Sequence, residues 1–411
     1  MKKFLVVGAN FINKGAQSML FTCVSELKER FPDCEIYFKT AIIPKDKDKY
    51  NFNFLYCKDI SYKLLDFDKK YLCETVLRIL KSSVKYVLGR GSMPLEIFDL
   101  KRVIPQIDYI IDISGYCLTS KWGMEAHKEY FSNFMLAQKY NIPIILFPQS
   151  YGPFEYGDNQ IEMEKEIKKW MGKASLVFAR EREGAKSLGK FGVQNIIQCA
   201  DLVLLSERLA PCNVYNDAQT VIIPNIKNNA VGIVPNLRCF VHGNKEIILK
   251  IYCEIINTLL AKEKIVYLFR HSLEDLEVCY WIKDFYLENE NVVVLDDDLD
   301  CFQTAEISKK FEFIISSRYH SIVHAYRNAV PCILLGWAIK YIELSQLMTQ
   351  EKFVFDITVE EVDVQKLLEN IVYLCNHSKK ESLVLEKRLI KVRKSNNCFD
   401  LLEQFVDSRE I

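Results

Sequence analysis

Short apolar runs alternating with longer segments of helical period, repeated in two blocks, constrain this chain more than any other feature of its sequence. The first block has such runs at residues 4–9 (FLVVGA), 35–39, 108–114, 142–147, 175–179 and 195–199. The second has them at 230–235, 264–269, 291–295, 312–316 and 330–335. Apolar runs of this length, bounded by turn residues and lacking in-out alternation, fit parallel strands buried on both faces. Between them, Met19, Leu20, Cys23, Val24 and Leu27 recur at helical spacing ahead of Pro32, and helical patterns fill 245–261, 273–288, 300–309 and 319–327. Strand–helix–strand repeated in this way predicts an α/β chain of two Rossmann-like, doubly wound domains facing across a cleft. A length of 411 residues, beyond what one core usually supports, agrees with two domains.

The expected division is 1–205 for the first domain, 206–225 for a linker around Pro211, Asn213, Asn216 and Asp217, and 226–377 for the second domain. A charged helical tail follows over 378–411 and is expected to return to the first domain. Residues 41–107 resist assignment and are read as an exposed loop followed by a helical insertion.

Lys+Arg and Asp+Glu both count 54, so the chain lacks the basic surplus with which nucleic-acid binders hold phosphates. Its 14 cysteines are scattered without a C-x-x-C pair, which fits small buried side chains in a reducing compartment rather than disulfides or zinc. The first apolar run is too short for a signal-peptide core, and no stretch approaches the roughly 20 apolar residues of a membrane span. A cytoplasmic protein is expected, with peripheral membrane contact left open and no metal or cofactor.

Five segments could carry chemistry. The loop after the first run holds Asn13, Lys14, Gly15 and Gln17 at the start of a helix, where free N–H groups favour an anion; it also reads as a turn in which Gly15 permits close packing. Arg318 and His320 follow the run ending at Ser316, offering a charged fork and a proton shuttle at a crevice mouth. Arg180 and Arg182 alternate with Glu181 and Glu183, as an anion clamp or as a solvated ladder. His271 ends another strand of the same block, and Lys340 lies beyond a further one. His324, one helical turn past His320, is read as structural.

Taken in order, these segments resemble the polysaccharide pyruvyl transferase family. The stretch Asn13-Lys14-Gly15-Ala16-Gln17-Ser18-Met19-Leu20 resembles its first-loop motif, and 108–115 its Asp-to-Gly-Gly turn, with Ser114-Gly115-Tyr116 departing from the usual glycines. Arg180-Glu181, Asp201, the block from Ile314 through Ser316-Ser317-Arg318-Tyr319-His320 to Ala325, Val330-Pro331 and Lys340 are similar to further family segments. The resemblance implies a fold like the GT-B glycosyltransferases, with phosphoenolpyruvate as donor. The acceptor it implies is a sugar of a polysaccharide repeat unit or lipid-linked oligosaccharide, and the product a pyruvate ketal. It also implies a donor site at Arg180, Arg318 and His320, to which Lys340 would add charge. His320 and then His271 are the expected acid–base groups, and Asn13, Lys14, Gly15, Gln17, Ser114 and Gly115 the substrate-binding loop. A nucleotide-sugar glycosyltransferase and a non-catalytic sugar-binding protein on the same fold are the competing readings.

Overall fold

The computed structural model describes residues 1–57, 84, 96–207, 209–217, 220–336 and 338–409. The helical insertion expected within 41–107 falls mostly outside these; among the described ones, Asn53–Tyr56 forms a strand and Glu96–Val103 a helix.

The first sheet comprises β1 (Lys3–Val7), β2 (Glu35–Thr40), β3 (Asn53–Tyr56), β4 (Tyr109–Asp112), β5 (Ile144–Gln149), β6 (Leu176–Ala179) and β7 (Ile196–Gln198), in the order β3-β2-β1-β4-β5-β6-β7. The second comprises β8 (Ala230–Val234), β9 (Ile265–Phe269), β10 (Val292–Leu295), β11 (Ile314–Ser316), β12 (Cys332–Leu335) and β13 (Val354–Phe355), in the order β10-β9-β8-β11-β12-β13. Every pairing in both is parallel. The central strands β4, β5, β8 and β12 are buried at every position, which is why they read as unbroken apolar runs. Helices cover both faces of each sheet, and the strand order turns back between β1 and β4 and between β8 and β11. Such reversals open a crevice at the carboxyl ends of the strands.

The two halves share apolar packing. Phe21 of the helix Lys14–Arg30 lies 5.5 Å from Phe302 and 5.9 Å from Tyr215 between ring centroids. The boundary expected at 377/378 needs correcting, because a single helix runs from Val364 to Arg393 straight through it. Its inward residues Leu367, Ile371, Leu374, Leu385, Leu389 and Val392 keep one helical period across the charged stretch that had suggested a break. The chain then turns, and the last helix, Cys398–Ser408, packs on the first sheet's domain. There Phe399 meets Phe147 edge-on at 5.2 Å, while Asp400 and Glu403 each bind Arg30 at 2.6 Å. No helix among the described residues is long and apolar enough to cross a membrane.

Candidate active site

Loops at the carboxyl ends of both sheets converge on one cavity of about 910 Å³. From the first sheet come the β1 loop (Gly8, Asn10, Asn13), the β4 loop (Ser114, Gly115, Tyr116) and Arg180 after β6. The second contributes Asn236 after β8, His271 and Glu274 after β9, Arg318, Tyr319 and His320 after β11, and Lys340. Arg180 and Arg318, 138 positions apart in sequence, thus face a common space, and five cationic side chains (Lys121, Arg180, Arg238, Arg318, Lys340) line it against the carboxylates Glu274 and Asp356.

The two arginines are not free forks, as the sequence had suggested. The Arg180 side chain is 3% exposed; Nη1 donates to Asp201 Oδ2 at 2.7 Å, and Nη2 to the Gly115 carbonyl at 2.8 Å and Ser150 Oγ at 2.6 Å. Arg318 donates through Nε and Nη2 to the buried Asp275 at 2.7 and 2.5 Å, and through Nη2 to Glu274 at 2.6 Å. Burial of a guanidinium demands such partners. Both therefore face the cavity as rigidly held guanidiniums already paired with carboxylates. Lys340 differs: it is half-buried among the rings of Tyr116, Tyr319 and Tyr341, 4.9 to 5.6 Å from their centroids, and no described carboxylate forms an ion pair with it. Burial first, and then Arg180, lower its pKa to about 7, against an opposing pull from Glu181.

His320 sits in the helix Tyr319–Arg327 with Nε2 3.4 Å from Asp201 Oδ2, within ion-pair reach but without hydrogen-bond alignment. Burial lowers its pKa, opposed by Asp201 and assisted by Arg180 and Lys340. His271 is almost completely buried, and its Nε2 lacks a hydrogen-bond partner among the described residues. Burial, His324 and His320 push its pKa well below the ordinary histidine value. Burial thus disfavours the charged form of both imidazoles. His324 is tied to Ser18 Oγ at 2.6 Å; Ser18 in turn donates to the Lys14 carbonyl at 2.6 Å, so His324 supplies the Nε2–H and bridges the two domains.

The first loop is only partly what the sequence suggested. Asn13 Oδ1 accepts the N–H groups of Gly15 (2.8 Å) and Ala16 (3.4 Å), so the helix start is capped rather than open to an anion. Lys14 and Gln17 leave the cavity altogether. The Lys14 ammonium pairs with Asp298 at 2.9 Å, the Lys14 backbone N–H donates to the His271 carbonyl at 3.1 Å, and Gln17 Oε1 accepts from Cys301 N at 3.0 Å. These contacts hold the second domain in place. Gly15 permits that approach, since a Cβ there would stand 2.5 Å from His320 Nδ1. Asn13, Ser114 and Gly115 do line the cavity.

The family model for polysaccharide pyruvyl transferase matches residues 13–338. The chain belongs to that family. Among curated proteins no sequence matches it. Among solved structures, Medicago truncatula UGT71G1 complexed with UDP-glucose is similar at TM-score 0.57 and 9% identity, over 99% of this chain and 98% of that one. The Neisseria meningitidis UDP-GlcNAc 2-epimerase bound to UDP-GlcNAc is similar at 0.55 and 11%, over 99% and 100%. A Siraitia grosvenorii ugt transferase in complex with UDP follows at 0.54 and 10%, over 99% of each chain. At such identities the likeness establishes the fold, which is GT-B.

In this pyruvyl transferase family member, four site residues carried little signal alone. Asp201 links Arg180 to His320, Asp275 and Glu274 hold Arg318, and Glu181 accepts from Ser150 Oγ at 2.8 Å. Burial would raise the Asp201 carboxyl, but His320 and Arg180 together hold it well below the usual carboxylate range. Glu181, directly after Arg180, and Glu274 and Asp275, shortly after Arg270 and His271, were the available clues, and they read equally as surface charge pairing.

Proposed function

We propose that this chain moves the pyruvyl group of phosphoenolpyruvate onto a sugar of a polysaccharide repeat unit or lipid-linked precursor, closing a ketal. The observation that carries the reading is the convergence of Arg180, Arg318 and Lys340 with His320 on one cavity, in a chain of this family. The donor's carboxylate and phosphate complement that positive lining. Addition of a proton to the methylene carbon makes the central carbon electrophilic. A sugar hydroxyl bonds to it and gives up its proton, phosphate departs, and a second hydroxyl closes the ring. His320, whose charged form burial disfavours, suits proton acceptance from the first hydroxyl. His271, deeper in the wall, is the second candidate. No bound cofactor is called for by these steps, and the protein would work in the cytoplasm, touching membranes at most through its acceptor.

A nucleotide-sugar transferase is the second reading, favoured by the UDP-bound proteins of like fold. Thermal unfolding separates the two. Phosphoenolpyruvate is expected to raise Tm, and UDP-glucose and UDP-GlcNAc to leave it unchanged; a rise with a UDP-sugar alone overturns the proposal. A protein that binds sugar without catalysis would turn over neither donor.

Lys340 gives a pH test. Its lowered pKa means that the ammonium is present below about 7 and lost above it. Donor affinity is expected to fall as pH rises through that value. Lys340→Arg, which stays charged, should flatten the profile. An unchanged slope in the variant, read by calorimetric titration with phosphoenolpyruvate, places the pH dependence elsewhere.

A further inference from the structure

A second cavity of about 610 Å³ adjoins the first, and Tyr116, Lys121, Ala338 and Lys340 line both. Its character is different. Four glutamates stand against three lysines around it, so it does not select an anion as the larger cavity does. Phe154 and Phe191 meet edge to face at 5.0 Å, both half-exposed, beside the half-buried Ser187. Facing the shared wall is Glu181, whose side chain is 5% exposed and whose Oε1 accepts from Ser150 Oγ; the Ser150 hydroxyl oxygen in turn accepts from Arg180 Nη2 at 2.6 Å. A buried carboxylate at the junction is therefore coupled through one hydroxyl to the arginine of the charged cavity.

Aromatic surface offers apolar contact area to the C–H face of a pyranose, while a carboxylate accepts only from donors such as hydroxyls. A cavity of this size at a domain boundary matches a small-ligand site. We propose that this second cavity is the saccharide subsite. A neutral hexopyranoside would pack on Phe154 and Phe191, with a hydroxyl donating to Glu181 and so directed across the Tyr116–Lys340 wall toward the donor. Its role as acceptor site rests on the pyruvyl transfer proposed above; its ability to bind saccharide does not. The site lies on the β5 and β6 side of the first domain, away from the Lys14 and Gln17 loop.

The test uses the full chain and saturation-transfer NMR with methyl β-D-galactopyranoside, methyl β-D-glucopyranoside and methyl β-D-mannopyranoside, each alone. At least one is expected to give a transfer signal. That signal should vanish in Ser187→Trp, whose indole fills the cavity, and weaken about ten-fold in Glu181→Gln (roughly 1.4 kcal/mol). Silence from all three glycosides with wild-type protein, or a signal that survives both cavity variants, overturns the subsite. A phosphoenolpyruvate-induced Tm rise retained in Ser187→Trp shows that the variant is folded. Absence of that rise in wild type, with the glycoside signal intact, sinks the donor reading and leaves the subsite standing.

Discussion

Arg318→Ala is expected to cost this protein both its activity and much of its stability. The guanidinium lines the charged cavity and carries the Asp275 carboxylate, which is fully buried. Burial already raises the Asp275 pKa, and Arg318 is the chief influence restraining that rise. Removing one partner of a buried pair leaves the other desolvated, a loss of about 3–5 kcal/mol. Removing a fixed positive group beside developing charge typically slows turnover by about 10²–10³-fold. The double variant Arg318→Met with Asp275→Leu separates the effects: stability should return only in part, because Asp275 also accepts the N–H groups of Leu237 and Ser272, while turnover should not return at all. Denaturant unfolding read beside phosphate release from phosphoenolpyruvate checks both. If Arg318→Ala keeps wild-type stability, the pair does not anchor the loop as described.

Gly15→Ala is the second large effect, and local propensity predicts its sign wrongly. Inside a helix, alanine is favoured over glycine by about 1 kcal/mol. Here the added methyl would lie 2.5, 2.6 and 2.8 Å from Nδ1, Cγ and Cβ of His320, an atom set at the root of a side chain that cannot swing aside cheaply. Overpacking of this kind costs about 1–3 kcal/mol, so the helix gain is cancelled or exceeded. The displacement also falls on the imidazole assigned to proton transfer. Turnover should therefore drop more than stability does. Adding His320→Ala, which removes the Nδ1 and Cγ contacts and leaves the one to Cβ, should recover part of the stability and none of the turnover, a coupling that a thermodynamic cycle measures directly. A stabilised, fully active Gly15→Ala protein would show that the two domains do not approach as closely in solution.

The arrangement of strands was legible because burial on both faces leaves an apolar run that needs no context. β3 and β13 escaped notice for opposite reasons: Asn53–Tyr56 opens on a polar residue in a polar neighbourhood, and Val354–Phe355 is only two residues long. Within the site, basic residues at strand ends were readable as facing a crevice, since topology alone fixes where a strand's carboxyl end points. What each one touches was not. Lys14 looked available to a substrate because Asp298 lies 284 positions later, and Gln17 because its partner is the backbone of Cys301. Sequence shows that a charge exists; only folding shows whether it has been neutralised. The same reasoning applies to Asp201: the resemblance to the family singled it out, but that it ties residues of the two halves together showed only once both were placed.

The return of the chain to its first domain has a mechanical consequence. Polypeptide passes between the halves twice, once after Ser206 and once between Arg393 and Cys398. The passages touch: Arg393 donates to the carbonyls of Leu204 and Ser206, and Asn396 donates to that of Gln198. A body fastened to another at two neighbouring points keeps one easy rotation, about the line through those points, and loses the freedom to shear or twist. Any change in the width of the cleft would then be a swing about that single line, and it would have to part Gly15 from His320 and Ser18 from His324.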